Sequence, residues 1–366
     1  MTEVVIFEEN YQKLLPITYT KTIPEILCGG RRQIDRITSV FGLEKTTFLV
    51  RKELEEYFKH KWKTGVNEIP DSRILLVING NFLFLDNELK ALDAKLDQGQ
   101  VLVGKRGIIA LKVKKDEIEK LIDQTGVNRR CVKKLYKKTY RGRERKIEYP
   151  WDLIEHLKEL IIEDSKFLRG KFRRLKGDRG GYPILMSDDV SVEKHVYIDC
   201  TDGPVILEDQ VEIQSFSRIS GPVWVKRGSI ILSGLIREGS IIGEVCKVGG
   251  EMEMSIMDGY SNKAHGSYLG HSYVGEWVNI GAFTVTSDLK NTYGTVRMNI
   301  NGRKIDSKKI KLGSFIADFA KTSISTSIYA GKKIGVSSHV HGVVYDDVPS
   351  FTFWANRWVM NQPRYS

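Results

Sequence analysis

The residues best equipped for chemistry sit close together between Gly259 and Asp288, in the run GYSNKAHGSYLGHSYVGEWVNIGAFTVTSD. His265 stands three residues before Tyr268 and fourteen before Asn279, with Lys263, His271 and Asp288 in the same stretch. An imidazole changes charge near neutral pH and can accept a proton from a nucleophile. Taken alone, an exposed histidine is more often structural or merely solvated. His339 and His341 lie two apart, which puts them on one face of a strand, but two ligands without a third make a poor metal site. The four cysteines, Cys28, Cys131, Cys200 and Cys246, show no CxxC or CxxxC pairing, so neither a zinc site nor a disulfide framework is expected. No metal ligands are assigned.

The formal net charge of +11 is unevenly spread: the segment Asn128 to Lys146 holds ten Lys or Arg against Glu144 alone. Such a block suits an anionic partner, or it is a solvated face or connector. Nucleic-acid binding would gain from interleaved aromatics, and only Tyr136 and Tyr140 are present, so it is not expected. The first ten residues, MTEVVIFEEN, lack the basic and long apolar regions of a signal peptide. No apolar run approaches the ~20 residues of a membrane span. A cytoplasmic protein without membrane contact is the expectation.

Internal repeats decide what must position these residues. Reading every sixth residue gives Leu207, Ile213, Ile219, Val225 and Ile231, with Val211, Ser217, Val223, Ser229 and Leu235 four places further on. After a slip of one residue the phase resumes as Ile236, Ile242, Val248 and Met254, and after a loop as Val274 and Ile280. A second loop is followed by Ile310, Ile316, Thr322, Ile328, Ile334 and Val340, with Ser314, Ala320, Thr326 and Ser338 in the small place. Three short strands make one triangular coil of about eighteen residues, so one aliphatic per hexad points inward and stacks on its counterpart a coil away. Ile310 is expected under Ile328, and Ile316 under Ile334. The stretch from about Val190 to Val344 therefore reads as a left-handed parallel β-helix of hexapeptide repeats, with Trp354 and Trp358 capping its last coil.

The preceding half alternates apolar strands (Val4 to Phe7, Thr47 to Val50, Ile74 to Ile78, Val101 to Gly104, Ile108 to Val113) with helical stretches such as Leu85, Leu89, Leu92 and Leu96. That order implies an α/β domain with a mainly parallel sheet. A helix from about Trp151 to Phe167 and a polar Gly-rich link follow. The expected division is residues 1–148 α/β, 149–185 helix and linker, and 186–366 β-helix with a terminal cap.

An α/β domain followed by a hexapeptide β-helix resembles the bifunctional sugar-phosphate uridylyltransferase and amino-sugar acetyltransferase family, and more closely its relatives labelled sugar nucleotidyltransferases. The most specific likeness is Gly259 to Ala282, in the spacing of a His, Tyr-Leu-Gly and Asn-Ile-Gly-Ala; weaker matches are LLPIT at Leu14 to Thr18, LVING at Leu76 to Gly80 and PWDL at Pro150 to Leu153. The resemblance implies that His265 deprotonates a sugar amine as it attacks the acetyl-CoA thioester. It further implies that Tyr268 and Asn279, with Lys263 and Asp288, contact the sugar phosphate. Backbone around Ala282 and Phe283 would meet the thioester carbonyl. Acetyl-CoA would lie between subunits of a homotrimer.

Two positions depart from the family: Phe283 replaces a glycine and Asp288 an asparagine. The nucleotidyltransferase pattern departs further. Glu8, Glu9, Asn10 and Tyr11 replace a Gly-rich loop, with Lys13 in place of the loop arginine; in the stretch Lys21 to Pro24 Ile23 occupies the place of a lysine, and Asn81 that of the Mg²⁺-binding aspartate. Lys13, Lys21 and Asn81 are thus the candidate nucleotide contacts, and Mg²⁺ is implied only where nucleotidyl transfer survives. Three readings stand: an acyl-CoA-dependent N-acetyltransferase of an amino-sugar phosphate or sugar nucleotide, a sugar-1-phosphate nucleotidyltransferase, and a non-catalytic trimeric sugar-nucleotide-binding or regulatory protein.

Overall fold

The computed structural model describes residues 3–123, 126–168, 170–355 and 358–361. Two compact units divide the chain: Met1–Leu14, Thr20–Ile26 and Arg31–Asp152 form one, and Leu15–Tyr19, Leu27–Gly30 and Leu153–Ser366 the other.

In the first unit β1 (Val4–Phe7), β2 (Thr46–Phe48), β3 (Gly65–Val66), β4 (Ile74–Asn79), β5 (Gln100–Gly104), β6 (Gly107–Lys114) and β7 (Tyr136–Thr139) make one sheet, ordered β3-β2-β1-β4-β6-β5-β7. Only β6 runs against its neighbours, because the short Lys105–Arg106 turn folds it back on β5. The other pairings are parallel. The apolar strands VVIF and ILLVIN are buried on both faces. Val4, Ile6, Leu76 and Ile78 join one core with Leu89 and Leu92, whereas Val5, Phe7, Leu75 and Val77 join another with Leu111 and Ile118. Strand alternation thus feeds two layers from one sequence run.

The basic segment has a structural explanation for part of its charge. Arg145 is buried on Glu88 at 3.0 Å, and Lys146 on Glu9 at 2.8 Å. Lys137 and Lys138 lie on β7, an exposed edge strand, where lysines oppose pairing with another chain. Tyr140 is buried, so of the two aromatics only Tyr136 is free to stack.

The second unit is the β-helix, and its left hand is as expected. Its three parallel faces each carry an inward column. On the first, Leu207, Val225, Ile242, Met257, Val274, Ile316 and Ile334 follow one another coil by coil. Ile316 therefore does lie beside Ile334. On the second, Ile213, Ile231, Val248 and Lys263 stack beyond the exposed Val192, and Thr322, Val340 and Trp354 continue the column. Ile198, Ile219, Ile236, Met252 and Leu269 form the third, which continues as Thr286, Ile328 and Val344. Each aliphatic so buried contributes roughly 1.5–3 kcal/mol. The small residues close the corners: Ser229 Oγ donates to the Gly243 carbonyl at 2.6 Å and accepts from Cys246 N–H at 2.9 Å.

Two expected positions differ. Ile310 is 54% exposed, and Thr286 takes the place beside Ile328. The reason is an excursion: the chain leaves the coil at Asp288, forms the hairpin Arg297–Ile300 with Arg303–Asp306, and returns at Leu312, whose N–H bonds the Asp288 carbonyl at 2.7 Å. Met254 sits at a corner with φ of 44°, and Met252 points inward instead. The helix expected over Trp151 to Phe167 is broken at His156 into Asp152–Glu155 and Leu157–Ser165, with Leu153, Ile154, Leu157 and Ile161 all buried. Trp354 is buried at the end of its column, its Nε1 on the Val343 carbonyl at 3.2 Å. The Trp358 side chain lies outside the described residues.

Candidate functional site

The stretch from Asn262 to Asp288 winds through more than one coil, and register brings its polar residues together. Strand Tyr268–Gly270 holds Tyr268 one coil from Glu253, and the exit of the excursion brings Asp288 to the same place. The Tyr268 hydroxyl donates to Asp288 Oδ2 at 2.8 Å, with Glu253 Oε2 at 3.3 Å. His271 Nδ1 lies 2.7 Å from the same Asp288 oxygen. Lys311, where the excursion returns, stands 3.8 Å from Glu253. Burial raises the Tyr268 pKa strongly, and the Asp288 acceptor raises it further, so the hydroxyl remains a neutral donor. Burial would raise the Asp288 pKa, but hydrogen bonds from His271 and Tyr268 and the charges of His271 and Lys311 win and hold it below the usual carboxylate value.

His265 is not part of this network. It is exposed on the turn between Lys263 and Tyr268, and its imidazole makes no hydrogen bond, ion pair or ring contact among the described residues. Phe283 is 68% exposed in a left-handed corner conformation, and a methyl group placed on Gly266 would lie 3.9 Å from its ring. The ring thus borders the His265 turn. The Ala282 carbonyl accepts from Ser325 N–H at 2.8 Å, while the N–H groups of Ala282 and Phe283 are unpaired among the described residues. Adjacent free N–H groups at a corner can receive a developing oxyanion. Asn279 is exposed, with its Oδ1 accepting from Asn262 Nδ2 at 2.9 Å.

Lys263 requires a correction. It is 1% exposed and occupies an inward column, with Nζ donating to the carbonyls of Gly249 at 2.7 Å and Ser267 at 3.1 Å, so it cannot reach a bound sugar phosphate. Glu253 is the member that sequence reading missed, while His271 stood in the run without a partner. The signal for His271 was the histidine closing the YLGH run, but its partner lies seventeen residues further on.

The candidate nucleotide contacts are committed to the fold of the first unit. Asn81 is 1% exposed: its Oδ1 accepts from Glu9 N–H at 2.9 Å, and its Nδ2 donates to the carbonyls of Glu9 and Ile147 at 2.8 and 3.1 Å. Lys13 pairs with Glu148, and Lys21 is buried. Glu8 holds both Arg51 at 2.7 Å and the Ile23 N–H at 2.8 Å. Asp86, the next acid after Asn81 in the sequence, is held by Arg31 through both oxygens at 2.9 and 3.0 Å. Mg²⁺ in such sites needs one or two available carboxylates beside the substrate phosphates, and this donor set does not fit it. Among the described residues no three His, Cys, Asp or Glu converge as metal ligands, the pair His339 and His341 included. Nor is any described helix long and apolar enough to cross a membrane.

Residues 4–172 match the family described as sugar nucleotidyl transferase. Over those residues the chain is similar to that family, and the sequence resemblance is borne out. The curated relatives it matches are named as bifunctional proteins. It is 37% identical over 164 residues to the bifunctional sugar-1-phosphate nucleotidylyltransferase/acetyltransferase of Sulfurisphaera tokodaii, a match spanning 43% of this chain and 40% of that protein. It is 25% identical to the bifunctional protein GlmU of Methanocaldococcus jannaschii, over 94% of this chain and 84% of that one. For GlmU of Methanococcus aeolicus the identity is 27%, over 93% of each. Solved structures of an acetyltransferase and an N-acyltransferase, both from Bacillus cereus, overlap at TM-scores of only 0.20 and 0.22.

Proposed function

We propose that the β-helical unit transfers an acetyl group from acetyl-CoA to the amine of an amino-sugar phosphate or sugar nucleotide. The observation that carries this reading is the joining of Tyr268, Asp288 and His271 on one carboxylate oxygen, on the coils that also present His265, Asn279 and the free N–H groups of Ala282 and Phe283. The names of the bifunctional relatives support it. In the reaction the amine nitrogen attacks the thioester carbonyl, a C–N bond forms, the oxyanion collapses, and the C–S bond breaks. His265 takes the proton that the amine loses, and the thiolate of CoA leaves. The N–H groups of Ala282 and Phe283 receive the oxyanion, while Tyr268 and Asn279 orient the sugar. Three copies would complete the groove in which acetyl-CoA lies, since one prism leaves its flat faces open.

Sugar-1-phosphate nucleotidyl transfer by the first unit is the second reading, favoured by the family match over residues 4–172. The commitment of Asn81, Lys13 and Asp86 to internal partners weighs against it. A mass-spectrometric screen tests both, pairing amino-sugar phosphates and amino-sugar nucleotides with acetyl-CoA, and NTPs with sugar 1-phosphates. An acetylated sugar is the expected product. Nucleotide-sugar formation without acetylation would overturn the ranking, and no product in either arm would favour the binding or regulatory reading. Sedimentation showing a stable monomer would remove the composite groove.

A further inference from the structure

The second inward column of the β-helix is aliphatic through Ile213, Ile231 and Val248, and then places Lys263 where a hydrocarbon belongs. Asn279 bridges Asn262 on one side and Lys321 on the other, so Ile280 and Thr322 follow Lys263 in the column before Val340 resumes the apolar pattern. The two polar interruptions serve adjacent corners. Thr322 Oγ1 accepts from the Gly281 N–H at 3.0 Å and lies 2.9 Å from Thr284 Oγ1, which fixes the corner bearing Ala282 and Phe283.

Lys263 acts on the corner bearing His265. Its ammonium lies 2.7 Å from the Gly249 carbonyl, 3.1 Å from that of Ser267 and 3.5 Å from that of His265. Gly249 belongs to the preceding coil, directly after the Val248 on which Lys263 stacks. One buried cation therefore ties the two ends of the His265–Ser267 turn to the coil beside it. No carboxylate closes on Nζ among the described residues; the nearest influence of that kind is the Glu251 charge. Burial pushes the ammonium pKa down to about 8, against the Glu251 effect, so holding the charge inside the column opposes folding. A stability role does not explain the lysine.

We infer that Lys263 is a positioning residue for the acyl-transfer site, gathering the carbonyls of Gly249, His265 and Ser267 so that His265 and Tyr268 are presented in fixed relation. This rests on the acyl-transfer reading above. A group displaced by about 1 Å from its productive place can cost on the order of 10²-fold in rate.

The test is the full chain carrying Lys263→Met, of similar length and without charge, beside Lys263→Arg. The expected result is a split: the melting temperature of Lys263→Met equals or exceeds that of the wild type, its kcat for acetyl transfer falls about 10–100-fold, and the KM for acetyl-CoA changes little. Amide hydrogen exchange at His265 to Tyr268 rises while exchange in the other coils is unchanged. Partial rescue of kcat by Lys263→Arg agrees with carbonyl capture by a cation. Unchanged kcat with unchanged exchange would overturn the inference, as would a variant that unfolds, which would make Lys263 a core residue only. Should the wild type acetylate nothing, the acyl-transfer reading fails, and hydrogen exchange at the turn still decides whether Lys263 holds it.

Discussion

His271 Nδ1 and Asp288 Oδ2 lie 2.7 Å apart across neighbouring coils, although seventeen residues separate them in sequence. The contact exists because the chain leaves the β-helix at Asp288 and returns at Leu312, which pins the carboxylate over the corner that carries His271. Since Tyr268 donates to the same oxygen, the carboxylate orients a phenol and an imidazole together.

Asp288→Asn should loosen both. A charge-assisted hydrogen bond is worth roughly 1.5–3 kcal/mol, so acetyl transfer should fall about 10–100-fold if that interaction is spent in the transition state. The pH dependence has a definite sign. A carboxyl held below its ordinary value contributes stability above the unfolded-state pKa and loses it as pH falls through the folded value. Melting followed down an acid series should therefore show a loss in the wild type that is smaller in Asp288→Asn. Identical acid profiles would mean that the network carries no net stabilisation.

His265→Ala should remove a factor of about 10²–10⁴ from acetyl transfer, the usual share of a general base. Its melting temperature should be unchanged, because the exposed imidazole makes no hydrogen bond, ion pair or ring contact among the described residues. A variant that turns over normally would pass the base role to another group, with the Asp288-bound His271 next in line.

The register of the β-helix is open to a paired test. Ile316 sits between Val274 and Ile334 in a buried column, so Ile316→Ala should cost about 2–5 kcal/mol in denaturant unfolding. Ile310, 54% exposed on the excursion, should cost no more than about 0.5 kcal/mol when truncated. Equal costs would return Ile310 to the core.

The difference between those two isoleucines shows why the fold was largely legible and the site only partly so. A stride of six leaves a mark in sequence, because every coil needs its aliphatic at the same place: Ile213, Ile231 and Val248 could be placed from spacing alone. The stride says nothing about where an excursion begins, so Ile310 kept the right period without belonging to any coil. Lys263 was misread for the opposite reason, since a lysine breaks the apolar pattern and looks like a surface residue. His271 was named without a partner, because cross-coil proximity to Asp288 depends on the length of the excursion. In the first unit the Asn81 departure was visible, but its three internal hydrogen bonds were not.

Those bonds predict that Asn81 is a brace. Asn81→Ala should destabilise the chain by roughly 1–3 kcal/mol for each buried group left unpaired, read by denaturant unfolding. Asn81→Asp, though it restores the carboxylate of the family pattern, would set a charge against the Glu9 and Ile147 carbonyls and should unfold at lower denaturant without gaining Mg²⁺-dependent pyrophosphate release. Robust release in that variant would show the brace to be dispensable and the nucleotidyl site intact.

The sharpest pH prediction concerns Lys263, whose folded pKa is lowered to about 8 by burial. A lysine depressed in the fold binds fewer protons in the native than in the unfolded state between that value and the ordinary lysine value. Through this group, then, stability must rise as pH increases across the window. At most it can supply about 1.4 kcal/mol per pH unit. Other groups titrate there too, so the informative quantity is the difference between the wild type and Lys263→Met. Wild-type stability should gain on the variant from pH 8 to pH 10, and the two should run parallel below about pH 7. A difference that stays flat across the alkaline window would mean that the ammonium holds its proton inside the coil. Carbonyl capture by Gly249, His265 and Ser267 would then be strong enough to offset the whole cost of burial.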